Sequence, residues 1–351
     1  MNLRKLLFNL LPILVLISSC NKDDDGGNVT PPRDRQEVYD EDIVEIEDFL
    51  STHFYNYEDF DFINPDNEAN DSFHIVFDTI AGDNSDKTPL IDLLNNPDSG
   101  KGELKVKTVT DSEGIEYSLY YLVVREGAGN TVHFTDRVHS IYEGMSIPEN
   151  YVFDYSVTPV RFSLITTATE NGVIQGFSEA MVEFKTSSSY TENGDGTTSY
   201  HGHGIGAVVI PSGLGYFNSP LTGVDAYTPL VFKFSLLERE IMDHDGDNIP
   251  SYLEDLNLNG NIYDDDTDGD LSSNFLDTDD DGDLVPTADE VDYPEPYVIN
   301  LGDPDPVFAD NEFEYQRENN GGVITIRTVV LTDTNGDGLA DYLDPDTAIE
   351  D

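Results

Sequence analysis

Hydrophobic positions change their spacing along the chain, and each change predicts a different element. After an apolar stretch over residues 6–17, Ile43, Val44, Ile46, Phe49, Leu50 and Phe54 recur at helical spacing behind the acids Asp40, Glu41 and Asp42. They predict one amphipathic helix over residues 39–54. Between residues 55 and 102 two short apolar pieces, HIVFDTI and TPLIDLL, stand among turn clusters such as NPDNEAND and NNPDSGKG. That mixture predicts an ordered extension packed on the next domain. From Leu104 alternation takes over: LKVKTV, the turn DSEG at 111–114 and then IEYSLYYLVV predict a β-hairpin, with strand-rich sequence to Glu240. Past Ile241 acids and glycines recur at short intervals, long apolar runs cease, and the basic residues are Arg317 and Arg327. This shift marks a domain boundary, beyond which VITIRTVVL reads as one strand.

Composition narrows the possible functions. The 351 residues carry 17 Lys and Arg against 71 Asp and Glu, a formal charge of -54, so nucleic acid is excluded as a partner held through its phosphates. An apolar fraction of 38%, with 19 Tyr and 18 Phe, can build a good core. The single cysteine rules out an intramolecular disulfide framework and cysteine-based metal centres.

That cysteine closes a distinctive leader, MNLRKLLFNLLPILVLISSC. Arg4 and Lys5 precede an apolar stretch of about twelve residues, short of the roughly 20 a membrane-spanning helix needs and interrupted by Asn9 and Pro12. The reading is a secretory signal. ISSC at 17–20 resembles a bacterial lipobox, which implies cleavage before Cys20 and lipidation there, a stable anchor. The alternative is ordinary secretion with a free thiol. Asn21, Lys22, Asp23, Asp24 and Asp25 are similar to the export signal of surface lipoproteins in Bacteroidetes-type bacteria, and as chain they form a solvated linker to about Gln36.

Between Arg125 and Glu240 several blocks stand in a familiar order. EGAG at 126–129 is followed by DRVHSIYEG with Tyr142 and Gly144, YVFDYS with Phe153 and Asp154, and VRFSL with Phe162. NGVIQGF then carries Val173, Ile174 and Phe177, VVIPSGLGY carries Tyr216, and TPLVFKFSLL carries Phe232. In this order they resemble the FKBP-type peptidyl-prolyl isomerases. The resemblance implies an α+β fold, an antiparallel half-barrel sheet wrapped on a short helix. It also implies an apolar pocket lined by Tyr142, Phe153, Asp154, Val173, Ile174, Phe177, Tyr216, Val224 and Phe232. Asp154 would pair with Tyr216, and the Ile174 backbone N–H would anchor a substrate carbonyl. Each aromatic taken alone could equally be plain core. Three residues depart from the family: Phe177 replaces a Trp, Gly223 a bulky aliphatic, and Phe217 a Gly. An insertion at 186–204 carries ENGDG and then His201 and His203, an HxH pair that could hold metal but reads as a solvated loop. No GxSxG, HExxH or GxxxxGK[ST] signature occurs.

The acidic tail repeats one register. Asp243, Asp245, Asp247, Ile249 and Glu254 fall at positions 1, 3, 5, 7 and 12 of a loop, and Asp279, Asp281, Asp283, Val285 and Glu290 repeat it. Asp266, Asp268, Asp270, Ser272 and Asp277 form another copy, Asp333, Asn335, Asp337, Leu339 and Asp344 a fourth, and Asp255, Asn257 and Asn259 a weaker half-loop. Side-chain oxygens at alternate positions, a carbonyl at position 7 and a closing carboxylate suit calcium, with Gly at position 4 easing the turn. Pro250 and Pro286 argue against EF-hand helices. The pattern resembles thrombospondin type 3 repeats, which implies calcium ions strung along an extended, nearly coreless segment.

The organisation expected is a signal peptide (1–19), a flexible linker (20–36), an extension with the helix (37–112), an isomerase domain (113–240) and calcium repeats (241–351). The function expected is a peptidyl-prolyl isomerase that needs no catalytic cofactor, is lipid-anchored at a bacterial outer membrane, periplasm-facing or on the surface, and acts on proline-containing clients. The rivals are a non-catalytic proline-peptide binder and a calcium-dependent structural or adhesive surface protein.

Overall fold

The computed structural model describes residues 31–147 and 149–347. The expected signal peptide and the lipidation site Cys20 lie outside the described residues. The chain divides into residues 1–33 and a compact unit of residues 34–351, and all the elements lie in the second. In order these are α1 (Arg35–Thr52), β1 (His53–Tyr55), β2 (Phe77–Thr79), β3 (Glu103–Thr110), β4 (Glu116–Arg125), β5 (Arg137–Ser146) and β6 (Val152–Ser163). After them come α2 (Gln175–Met181), β7 (Ser189–Glu192), β8 (Thr198–His201), β9 (Gly204–Ile210), β10 (Leu230–Glu240), β11 (Tyr297–Asn300), β12 (Glu312–Asn320) and β13 (Val323–Val330). Two α-helices among the described residues against this much sheet give the α+β class.

The first helix starts earlier than its apolar spacing predicts because the Asp34 side chain caps it, accepting from Glu37 N (3.0 Å). It ends at Thr52 because Phe54 is claimed by a sheet, pairing with Asp78 across β1 and β2. Val38, Asp42, Ile46, Phe49 and Leu50 form its buried stripe. Asp42 is tolerated there because Ser212 donates to it from both N and Oγ, each at 2.7 Å.

Six antiparallel strands form the central sheet in the order β3-β4-β9-β10-β5-β6. Alternate residues of β4, β9 and β10 serve two different cores. Tyr120, Leu122, Val124, Val209 and Val231 pack with Ile46, Leu50, Tyr55 and Leu93 of the extension. Tyr121, Val208, Ile210, Phe232 and Phe234 point the other way, onto Phe177, Ala180 and Met181 of α2. Covering both faces explains why the second half of β4, LYYLVV, is apolar without a break and why every residue of β9 is buried. The boundary expected at 112/113 is therefore corrected: it cuts the β3-β4 hairpin, and β3 is an edge strand of the same sheet.

The tail is not coreless. Ile249, Val291, Val329, Tyr342 and Leu343 form a small apolar cluster with Phe313 and Tyr315 packed against it. VITIRTVVL is β13, as expected, but it is the middle strand of a three-stranded sheet in the order β11-β13-β12. The flanking strands escaped detection because YVIN is only four residues long and EFEYQRENN is mostly polar. The tail also docks on the central unit. Tyr252 stacks on His133 with ring centroids 3.6 Å apart, and the Tyr263 hydroxyl donates to the Thr166 carbonyl in the loop that leads to α2.

Candidate functional site

Phe232 on β10 is the hub of an aromatic cluster on the α2 face of the sheet. Its ring lies 5.2 Å from Phe177, 5.7 Å from Phe153 at 86°, and 6.3 Å from Tyr142. Phe162 closes the ring of contacts, 5.2 Å from Tyr142 and 5.9 Å from Phe177, and Tyr216 sits 6.4 Å from Phe153 at the rim. These edge-on and tilted arrangements are the ones the ring quadrupole favours. Gly144 makes the convergence possible. A Cβ there would stand 2.7 Å from the Phe232 ring and 2.9 Å from that of Phe153.

Eight of the nine residues expected to line the pocket are thus brought together: Phe177, Val224 and Phe232 buried, with Tyr142, Phe153, Val173, Ile174 and Tyr216 half-buried against them. The ninth departs from expectation in two ways. Asp154 is exposed, and its partner is Tyr142 rather than Tyr216: the Tyr142 hydroxyl donates to Asp154 Oδ2 at 2.8 Å. Register is the cause, because Gly144 faces Asp154 across β5 and β6, which makes Tyr142 its diagonal neighbour. Burial and this hydrogen bond push the Tyr142 phenol up, and burial followed by the nearby Asp154 charge does the same to Tyr216. Ile174 is the residue before the first turn of α2. Its carbonyl accepts from Phe177 and Ser178, while its own amide donates to no described group.

Each departure from the family has a structural counterpart. Gly223, at φ +83°, leaves space that the Tyr151 ring fills, with Cε1 2.1 Å from where a Cβ would stand. Phe217 adopts the left-handed φ of +47° that a glycine would favour, and its ring is held between Tyr227 (5.1 Å) and the Arg35 guanidinium (4.2 Å). Phe177 is a buried floor between Phe162, Phe232 and Phe234.

The acidic loops share one backbone pattern. In the first, Asp243 accepts from Gly246 N (2.7 Å) and Asn248 N (3.0 Å), Asp245 from Asp247 N (3.2 Å), and Asp247 from Ile249 N (2.7 Å). The same ladder runs through Asp266, Asp268 and Asp270, and through Asp333, Asn335 and Asp337. Gly246, Gly269, Gly282 and Gly336 all have positive φ, which is the reason for glycine at position 4. Carboxylate oxygens converge within 4.8 Å in Asp243, Asp245 and Asp247, in Asp266, Asp268 and Asp270, and in Asp279, Asp281 and Asp283. The fourth loop differs: Asn335 Nδ2 donates to Asp344 Oδ2 (2.7 Å), so part of its donor set is spent internally. Of the position-7 residues, Ile249 is buried in the tail core, Val285 and Ser272 are half-buried, and Leu339 is exposed.

These loops fit a hard cation. Asp245 Oδ2, Asp247 Oδ2, Asp281 Oδ2 and Asp283 Oδ2 are buried without a hydrogen-bond partner, as are both oxygens of Glu254 and of Glu290. Burial, then the neighbouring carboxylates, push Asp245, Glu254 and Glu290 well above the usual carboxylate range. An all-oxygen donor set with unspent acceptors matches calcium chemistry. Asp277 is half-buried and Asp344 buried at the closing positions of their loops.

The His201 and His203 pair is corrected from a solvated loop to a latch. The tip of the β7-β8 hairpin is exposed, but its base is held by Asp71 of the extension, which accepts from Arg125 Nη2 (2.9 Å) and Gly202 N (3.0 Å) and bonds to His201 Nδ1 (3.1 Å). Arg125 Nε in turn donates to the His203 carbonyl (2.7 Å). His203 is 3% exposed, and burial, then the Arg125 charge, push it down to about 4 against the nearby Asp71. A folded pKa below the unfolded value of about 6.5 contributes stability that is lost as pH falls through that window. The urea midpoint, at fixed calcium, should therefore drop between about pH 6.5 and 4, and His203→Gln should flatten this slope. An unchanged slope in the variant would remove His203 from the account. No sequence signal joined Asp71 to these histidines, because the partners lie 130 residues apart.

A cavity of about 690 Å³ lies away from the aromatic cluster, lined by His139, Ser187, Glu238, Asp303 and Arg317 among others, where β10 meets the tail sheet.

Comparison with known proteins gives two kinds of match. The family model described as BamM C-terminal matches residues 244–303, which take in most of the first acidic loop, the next two loops and β11. It is a family other than the thrombospondin type 3 repeats that the sequence resembles. No curated protein matches the chain. Among solved structures, a peptidyl-prolyl cis-trans isomerase from Pseudomonas syringae pv. tomato is 24% identical over 38% of this chain and 80% of that one, with a TM-score of 0.28. FkpA from Escherichia coli is 28% identical over 38% of this chain and 51% of that one, with a TM-score of 0.27.

Proposed function

We propose that the chain is an FKBP-type peptidyl-prolyl cis-trans isomerase for exported or surface proteins, held at the outer membrane by lipid on Cys20 and carrying a calcium-ordered tail. The observation that carries this reading is the cluster of Phe232, Phe177, Phe153, Phe162 and Tyr142 beside the undonated amide of Ile174. Rotation about an X-Pro bond faces a barrier of roughly 18–20 kcal/mol because resonance gives the C–N bond double-bond character. That resonance form is charge-separated, so an apolar, water-poor surface weakens it, and a shape that fits the twisted imide better than either planar isomer lowers the barrier further. Neither nucleophile nor general base is required. The Ile174 N–H would fix one substrate carbonyl, and the Tyr142 and Asp154 pair would form a polar rim.

A proline-isomerisation assay on the mature chain tests the proposal. The binding-only rival is favoured by one observation, the Tyr151 ring in the space beside Gly223, where the resemblance expects a bulky aliphatic over the proline. A chain that binds proline peptides without accelerating their exchange would establish that rival.

Calcium in the acidic loops would supply divalent countercharge to carboxylates that otherwise repel one another. Its ligands would be Asp243, Asp245, Asp247 and Glu254 in the first loop, Asp266, Asp268, Asp270 and Asp277 in the next, and Asp279, Asp281, Asp283 and Glu290 in the third. Asp333, Asn335, Asp337 and Asp344 would form a weaker fourth. The BamM C-terminal match over residues 244–303 is compatible with a role at the outer membrane. Lipid anchoring rests on the leader sequence. Cys20→Ala should shift the protein from the membrane fraction to the soluble fraction, and mass analysis showing an unmodified thiol in the membrane-bound wild type would reject the anchor.

A further inference from the structure

Two acidic loops far apart in sequence meet at a buried junction. Asp247 and Glu254 belong to the loop at 243–254, and Asp280 stands second in the loop at 279–290, outside the alternating ligand positions. One carboxylate oxygen from each lies within 4.8 Å of the others. Asp243 and Asp245 gather with Asp247 in a different group. The junction is dry: Glu254 is 0% exposed and Asp247 and Asp280 are 2% exposed.

The hydrogen bonds show which oxygens remain. Asp247 Oδ1 accepts from Ile249 N (2.7 Å), and Asp280 Oδ2 accepts from Thr287 Oγ1 (3.0 Å). Asp247 Oδ2, Asp280 Oδ1 and both oxygens of Glu254 have no partner. Leaving such acceptors bare in a low-dielectric interior is unfavourable unless a positive group meets them. Among the described residues no ion pair reaches Asp247, Glu254 or Asp280. The two arginines of the tail are engaged elsewhere, Arg317 with Asp305 and Glu314 and Arg327 with Glu318. The countercharge must come from solution, and four hard oxygens select a divalent cation of the calcium type.

We propose that Asp247, Glu254 and Asp280 hold a calcium ion at this junction, separate from the ions within the loops and sharing the first loop's ligands Asp247 and Glu254. It rests on the same calcium reading of the tail, with Glu254 offering one of its two free oxygens to each ion. The ion acts as a clamp: it fixes residues 243–254 against residues 279–290 and turns a string of independent loops into a single body. The loop reading alone does not require such a clamp, since each loop could fill with its neighbour detached.

The test counts ions on the full mature chain after chelator stripping and calcium dialysis. Asp280→Asn keeps an acceptor for Thr287 while removing charge, and Asp280→Ala removes the ligand altogether; each variant is expected to retain one calcium fewer per chain than the wild type. The same count in both variants overturns the junction site and leaves the loops standing. A wild type that binds no calcium overturns the loop reading as well. Anomalous scattering from lanthanide-loaded crystals of the wild type gives a result independent of variant folding: a peak among Asp247, Glu254 and Asp280 is expected, and its absence with the loop peaks present rejects the clamp.

Discussion

Replacing Phe232 with alanine is expected to lower kcat/KM for cis-trans exchange at X-Pro bonds by about 100-fold, equivalent to ~2.7 kcal/mol of transition-state stabilisation. Among the described residues Phe232 is the one ring that touches Phe177, Phe153 and Tyr142 together, so its loss removes the contact those three rings share. Ground-state peptide binding should suffer less, because only the twisted imide uses the full shape. A buried Phe→Ala change also costs about 3–5 kcal/mol of stability, so the assay belongs well below the unfolding midpoint. Leu236→Ala supplies the control: Leu236 is fully buried in the same core and on the same strand, without a place among the cleft rings. It should lose stability yet keep most of its rate. Asp154→Ala should cost no more than about fivefold, roughly 1 kcal/mol, since Asp154 is exposed and orients the Tyr142 hydroxyl instead of walling the cleft. Equal rates for the Phe232 and Leu236 variants would show that the cluster is core and not a catalytic surface.

Stripping calcium from the mature chain is expected to lower its thermal midpoint by on the order of 10 °C and to expand the tail. One ion at a free concentration 100 times its Kd stabilises the folded state by ~2.7 kcal/mol, and each kcal/mol moves the midpoint of a domain this size by about 2–4 °C. The effect is large because the oxygens concerned are already committed. Both oxygens of Glu254 and of Glu290 are buried with nothing to meet them, so removing the cation leaves repulsion that water cannot screen. Asp245→Ala combined with Asp281→Ala should weaken binding at two loops together. Calorimetry showing no heat at millimolar calcium, or a midpoint indifferent to chelator, would reject calcium as the organising ion. Because Tyr252 stacks on His133 and Tyr263 reaches Thr166, loosening of the tail should also be visible as increased hydrogen exchange around residues 164–172.

The features legible in the sequence are those decided over a few residues. Alternation in LKVKTV and at the start of IEYSLYYLVV is the strand pleat itself, and with the turn between them it foretells β3 and β4. Helical spacing from Ile43 to Leu50 foretold α1, and the error at its ends came from a cap and a strand that short-range periodicity does not contain. The acidic loops were the clearest case, since every hydrogen bond of the ladder spans five residues or fewer and the glycine at position 4 answers a local need for positive φ. The family resemblance named nine residues through the order of their blocks along the chain, and eight of them lie in one apolar cluster. Only tertiary structure decided the rest. Sheet register handed Asp154 to Tyr142, because which residues become diagonal neighbours depends on how two strands slide past each other. The extension became the second wall of the sheet through pairs such as Asp42 with Ser212, 170 residues apart. Asp280 met Glu254 only because two loops came to rest side by side, and the small core at Ile249, Val329 and Tyr342 drew its members from both ends of the tail. Local conformational preference is written into neighbouring residues. Which faces are buried, and which charges must share one dry junction, is set by the packing of segments that are remote along the chain.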